Sequence, residues 1–375
     1  MWVGAGLGAM WRLPRNTSID QPSNRRQHRS MTATGSILPQ ELTIALTRIG
    51  SRLEQQLSVE PEIVGVLALL NELPPDKLLR TESEIRAAAS LYQWRRQAPL
   101  IARLFSPMLT DLNQLKRVAG LEYLFVFHGD GYIREAALQK MDGELPSALM
   151  FAAVAWRLND WAAPVRKAAV KCADRTFKQT SADKIAEAAL SLLTREMSWR
   201  RWNEERSILA DAFARPDVVA SVADVIATRR TGAMGKVLRH AMRADGFDQH
   251  LERIARDAVQ PAVRAVAVQS LIDGFVKWPD GWHYRWVDKS MGIRRQEITY
   301  RQRELTVSLH RDRVIAAGIA DRATVVRNVA LTGLIRYRLD TDEARNLARP
   351  LLLDRSKSVR ERAGFILQEP VQQVR

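Results

Sequence analysis

One short frame recurs five times along the chain, and it limits the fold more than any other feature. Each copy has an aspartate, a short gap, an apolar residue then arginine, an alanine three residues after the arginine, and a small or apolar residue seven after it. The copies are Asp130/Ile133/Arg134/Ala137/Met141, Asp160/Val165/Arg166/Ala169/Ala173, Asp257/Val263/Arg264/Ala267/Leu271, Asp321/Val326/Arg327/Ala330/Leu334 and Asp354/Val359/Arg360/Ala363/Leu367. The arginines lie 32, 98, 63 and 33 residues apart. These gaps read as one, three, two and one units of about 32 residues, a phase kept across missing copies.

The residue types suit those offsets. An aspartate just before a helix accepts from the unpaired N–H groups of the first turn and complements the positive end of the dipole. The Val, Ala and Leu positions fall at spacings of four and form one helix face. A single helix pair leaves that face in water, and only a neighbouring pair covers it. The repeated arginine is placed to meet the aspartate of a neighbouring turn, as a ladder down the stack. Around the frame the pattern is helical: Leu42, Ile49 and Leu53, then Ile63, Val66, Leu67 and Leu70, recur at helical steps, and Leu73-Pro74-Pro75-Asp76 marks a stop.

This pattern resembles HEAT repeats, in particular the short bacterial kind of phycobilin lyase-like proteins, over roughly Leu121 to Gln368. The resemblance implies an all-α, right-handed superhelical solenoid of armadillo type whose second helices line the concave face. The expected organisation is a disordered extension over residues 1–38, degenerate helical repeats over 39–120, HEAT-like repeats over 121–276, an insertion over 277–303, and C-terminal repeats over 304–375.

A net charge of +15 and a pI near 10.4 favour acidic partners. The first 30 residues supply four of those charges, and arginine outnumbers lysine severalfold, which coding composition produces as readily as phosphate binding does. One cysteine, Cys172, allows no intramolecular disulfide and fits a reducing compartment, so cytoplasm is the expected location. No run of apolar residues reaches the roughly 18 that a membrane helix needs.

The insertion Lys277–Arg303 is the most unusual stretch. It sets Trp278, Trp282, Tyr284, Trp286 and Tyr300 among Arg285, Arg294, Arg295, Arg301 and Arg303. Pro279-Asp280-Gly281 reads as a turn, and Tyr284–Val287 with Ile293–Thr299 as a small β-hairpin. Interleaved rings and guanidinium groups suit single-stranded nucleic acid, and equally a capped edge between repeats. A second cluster, Trp199-Arg200-Arg201-Trp202, puts two tryptophans one turn apart on a helix face, as core packing or as a groove lining.

Catalytic readings are thin. HEAT-like DNA glycosylases use an aspartate framed by tryptophans, which Trp156, Asp160 and Trp161 imitate only superficially. Gly232 to Val237 lacks the spacing and the hydroxyl of a phosphate loop. The six histidines show no ligand spacing, so neither a metal nor a cofactor is implied. The exposed positions one and five after each arginine are mixed rather than basic: Glu135/Gln139, Lys167/Lys171, Ala265/Gln269, Asn328/Thr332 and Glu361/Phe365. The expectation is therefore a non-catalytic scaffold that binds a protein partner through the solenoid surface and the insertion. Nucleic acid is the alternative partner, and neither a membrane nor a small molecule is expected.

Overall fold

The computed structural model describes residues 36–92, 110–201, 205–308, 310–338 and 341–368. The chain divides into Met1–Ser36 and Ile37–Arg375, and every described helix and strand belongs to the second unit. The expected disordered extension therefore lies outside the described residues up to residue 35. Its last residues belong to the core instead: Leu38 is buried, and the Ile37 and Leu38 amides donate to Glu84.

The described residues are mostly helical, with one two-stranded antiparallel sheet among them. The first helices are α1 (Gln40–Glu54), α2 (Glu60–Asn71), α3 (Leu78–Ala88), α4 (Asp111–Arg117) and α5 (Leu121–Phe125). Next come α6 (Gly131–Lys140), α7 (Ala148–Arg157), α8 (Ala163–Thr176), α9 (Ala182–Arg195), α10 (Glu205–Ala214) and α11 (Pro216–Thr228). After α12 (Met234–Ala241), α13 (Leu251–Asp257) and α14 (Pro261–Asp273), the strands β1 (Phe275–Asp288) and β2 (Ile293–Glu304) intervene. Helices α15 (Arg311–Ile319), α16 (Thr324–Arg338), α17 (Asp342–Ala348) and α18 (Lys357–Gln368) are the last described elements. Pro164, Pro216 and Pro261 stand in the first turns of α8, α11 and α14, where a missing N–H costs nothing.

The arginine-bearing helices pack on one another in sequence, α6 on α8, then α14 on α16 and α16 on α18. The Val and Ala positions of the frame are buried in every copy after the first, as are Ile133 and Ala137 in the first. Where α14 meets α16 the backbones come close. A Cβ added at Gly333 would sit 2.6 Å from an Ile272 methyl, so the position has room for glycine alone.

The arginines tie the layers together in one repeated way. Arg134 donates to both carboxylate oxygens of Asp160 (3.0 and 2.8 Å) and, through Nη1, to the carbonyls of His128 and Gly129. Arg264 does the same to Asp321 (2.7 and 2.9 Å) and to the carbonyls of Ala258 and Val259. Arg327 pairs with Asp354 and holds the Asp321 carbonyl. Arg166 holds the Asp160 carbonyl and meets Glu205 where the next aspartate would stand, and Arg360 holds the carbonyls of Asp354 and Arg355. Each arginine thus secures the turn six residues behind it, and four of the five also reach forward to an acid of the next layer.

Three features of the frame need correction. Asp160, Asp321 and Asp354 lie six residues before their arginines, whereas Asp130 lies four before and Asp257 seven before. Asp130 caps α6 by accepting from the Tyr132 amide, and Asp257 is a surface partner of its neighbour Arg256. The reason is positional, because an aspartate serves only where an arginine of the frame precedes it, and Arg134 and Arg264 follow layers that lack one. The 63-residue gap is also not two units. Arg264 clamps Asp321 directly, so the gap is one layer interrupted by the hairpin Phe275–Glu304.

Candidate partner-binding hairpin

Strand β1 pairs with β2 from Phe275↔Glu304 to Asp288↔Ile293. At roughly 3.3 Å per residue, 14 residues reach roughly 45 Å, far longer than the expected Tyr284–Val287 and Ile293–Thr299 ribbon. The far end turns through Lys289–Gly292. Asp288 accepts there from the Ser290 and Met291 amides, and Gly292 supplies the left-handed φ of 68°. The Ser290 hydrogen bond, with those amides, holds the Asp288 carboxyl below the usual range.

The near end is fastened to the helices. Val276 is buried, Trp278 is half-buried against the core, and β1 packs on α12 and α14. Arg303 donates to the carbonyls of Met242 and Ala244 and to both oxygens of Asp248, which also accepts from Thr306. Arg303 is thus an anchor, not the ligand-facing residue expected of it, and Trp278 belongs to the same footing.

The Pro279-Asp280-Gly281 segment is not the expected turn. It lies within β1 as a bulge, with Pro279 opposite Tyr300, Gly281 opposite Thr299, and Asp280 unopposed. One extra residue reverses the alternation of side chains beyond it. Without the bulge Trp282, Tyr284 and Trp286 would share the face of Val276 and Trp278. With it they join Lys277, Pro279, Arg294, Gln296, Ile298 and Tyr300. The other face collects Gly281, His283, Arg285, Arg295, Glu297, Thr299 and Arg301.

The two faces differ in chemistry. On the first, Trp282 is 58% exposed and Tyr284, Trp286, Ile298 and Tyr300 are exposed as well. Arg294 lies over Trp286 at 4.8 Å and over Tyr284 at 5.6 Å, and Lys277 lies over Tyr300 at 4.9 Å. On the second, His283 and Arg285 each stand 3.6 Å from Glu297, and Arg301 pairs with Asp280 at 2.7 Å. Arg295 is exposed there. Of the insertion residues expected to bind, Trp282, Trp286 and Arg294 thus share one face, and Arg295 and Arg301 stand on the other. Ile298, not singled out in the sequence, sits among the rings opposite Trp282.

The second tryptophan cluster does not form the expected helical face. Trp199 is buried in extended backbone after a 3₁₀ turn and meets Trp156 edge-on at 5.4 Å. Arg200 and Arg201 are exposed, the Arg201 amide donates to Asn159, and Trp202 lies outside the described residues.

Much of the positive charge is spent inside the molecule. Arg175 donates to the carbonyls of Leu138, Gln139 and Met141 at the end of α6, Arg215 to those of Phe177 and Thr180 after α8, and Arg311 to Ile272 at the end of α14. These carbonyls lack helical partners, and a guanidinium satisfies them in charge and geometry. Asp160 is buried between Arg134 and Arg157, so it is not offered to a substrate. Among the described residues no group of three or more His, Cys, Asp and Glu could hold a metal ion. No helix among the described residues is long and apolar enough to cross a membrane.

Comparison with family models, with curated proteins and with solved structures matched none of them to this chain.

Proposed function

We propose that this protein is a non-catalytic scaffold of HEAT-type helix pairs, wound as a right-handed solenoid in the cytoplasm, that holds a protein partner on the aromatic face of its hairpin. The observation that carries the reading is the bulge at Asp280, which gathers Trp282, Tyr284, Trp286, Ile298 and Tyr300 on one exposed face and leaves the paired charges on the other. Aromatic residues and arginine with few acids are the composition of interface centres. A two-stranded ribbon with both faces in water is marginal by itself, and a partner covering the ring face would complete it. The ladder of Arg–Asp clamps supports the repeat reading, because it recurs with the frame.

Nucleic acid is the second reading, motivated by the net charge of +15. It is weakened by the arginines already engaged with carbonyls and carboxylates, and by Arg294 and Lys277 lying over rings that bases would stack on. The test replaces Trp282, Tyr284 and Trp286 together by serine in one variant and Arg285 and Arg295 by serine in another. Loss of a co-purifying protein in the first variant alone supports the proposal. Retention in both, or salt-sensitive binding of a single-stranded oligonucleotide lost in the second, contradicts it.

A further inference from the structure

A second surface, remote in sequence from the hairpin, has a chemistry opposite to that of the chain as a whole. Between the start of α6 and the start of α8 lies a cavity of about 490 Å³ lined by Asp130, Tyr132, Glu135, Trp161 and Val165, among others. Tyr132 is 76% exposed and Trp161 is 71% exposed, the most exposed rings among the described residues of the helical part. None of the lining residues is basic, so in a protein of net charge +15 this hollow carries two carboxylates and no cation of its own.

The frame holds both rings in place. The Asp130 carboxylate accepts from the Tyr132 amide, which sets the first turn of α6. Arg166 donates to the carbonyls of Asp160 and Trp161, which fixes the turn that carries the indole. The stems are therefore ordered while the rings stand in solvent, an arrangement that lowers the entropy lost on binding. Glu135 accepts from Gln139. It also lines an adjoining cavity of about 500 Å³, which runs on to Lys167 and Lys171. The two hollows form a trough that is aromatic and acidic at one end and basic at the other. From Ala163 to Lys171 is eight residues of helix, roughly 12 Å, or three to four residues of extended chain.

We propose that this trough binds an extended peptide, with an arginine or lysine side chain between Tyr132 and Trp161 facing Asp130 and Glu135, and an acidic residue three to four positions away meeting Lys167 and Lys171. A cation over an aromatic face gains from the ring quadrupole, and two carboxylates add to that field. A polyanion is repelled at the acidic end, which excludes a nucleic acid strand from lying along it. The site does not depend on the hairpin and stands or falls separately from it.

The test uses the full chain and peptides of sequence acetyl-Arg-Gly-Gly-Glu-amide and acetyl-Glu-Gly-Gly-Arg-amide, followed by saturation-transfer NMR. The same peptides with citrulline for arginine keep the shape and lose the charge. Saturable binding of one arginine peptide, weakened at least tenfold by citrulline, by Trp161→Ala and by Glu135→Gln, and unchanged by Trp286→Ala, is the expected result. Circular dichroism checks that each variant is folded; Trp161 is exposed and Glu135, half-buried, bonds to exposed Gln139, so neither gives much reason for loss of fold. Equal binding of the citrulline peptides, insensitivity to Trp161→Ala, or no saturable binding of either arginine peptide overturns the proposal.

Discussion

At the residue scale the molecule turns on buried charges set against charges of opposite sign. Asp160 accepts from Arg134, Arg157 and the Ala162 amide, with its side chain 1% exposed. Burial opposes its charge, but the Arg134 hydrogen bonds, the Ala162 amide and the Arg157 charge outweigh burial and hold the carboxyl below the usual range. Removing it takes the carboxylate partner from buried Arg134 and leaves Arg157 to Glu82, so Asp160→Ala costs about 3 to 5 kcal/mol of stability, whereas Asp257→Ala leaves it nearly unchanged. Urea unfolding of the two variants checks this. His240 gives a pH signature. Burial, with the nearby Lys236 charge, pushes its imidazole down to about 4. The unfolded imidazole titrates near 6.5. Between those values the unfolded chain therefore binds the extra proton, so stability falls as pH drops from about 6.5 to about 4. His240→Gln is expected to flatten that slope in part, since burial also holds the His250 imidazole low, and to leave the acid limb to lowered carboxyls that include Asp160, Asp248, Asp321 and Asp354.

At the scale of elements, the hairpin depends on one inserted residue. Deleting Asp280 removes the bulge and turns Trp282, Tyr284 and Trp286 to the face of Trp278, while the Arg303–Asp248 anchor stays in place. Far-ultraviolet circular dichroism is expected to change little, and partner capture is expected to be lost. The helices and their stacking frame were legible in the sequence because Val, Ala and Arg repeat at helical offsets. A hairpin was legible from the aromatic run, but not its length, since Pro279-Asp280-Gly281 has the composition of a turn. Only the pairing of Pro279 with Tyr300 shows it to be a bulge within a longer strand. The 63-residue gap misled for a similar reason, as an insertion of nearly one repeat length mimics a missing copy. Trp199 was misplaced because a pair of tryptophans three apart fits a helix face, whereas its backbone is extended.

At the scale of the whole described unit, two apolar clusters meet along α14. Val263, Val266, Ala267 and Leu271 belong to the larger, while Ala265, Val268 and Ile272 belong to a second, formed with α15 to α18. This division follows from layered packing, in which each helix is covered by its neighbours in sequence. A chain ending at residue 308 is expected to keep its remaining helices and to bind a hydrophobic dye through the uncovered face of α14. Gly333→Val, which drives a branched side chain into Ile272, is expected to loosen the same seam, seen as faster amide exchange confined to α15 to α18. The partner reading belongs to this scale too, since the ladder keeps the hairpin's footing in α12 and α14 fixed while its far end stands in water.

The most direct test of the account places a photo-crosslinking amino acid at Tyr284, on the ring face, and in a separate chain at Arg285, on the face behind it. The account predicts a protein adduct from position 284, resistant to nuclease, and little from 285. Equal yields from both faces, or an adduct that nuclease removes, would contradict it.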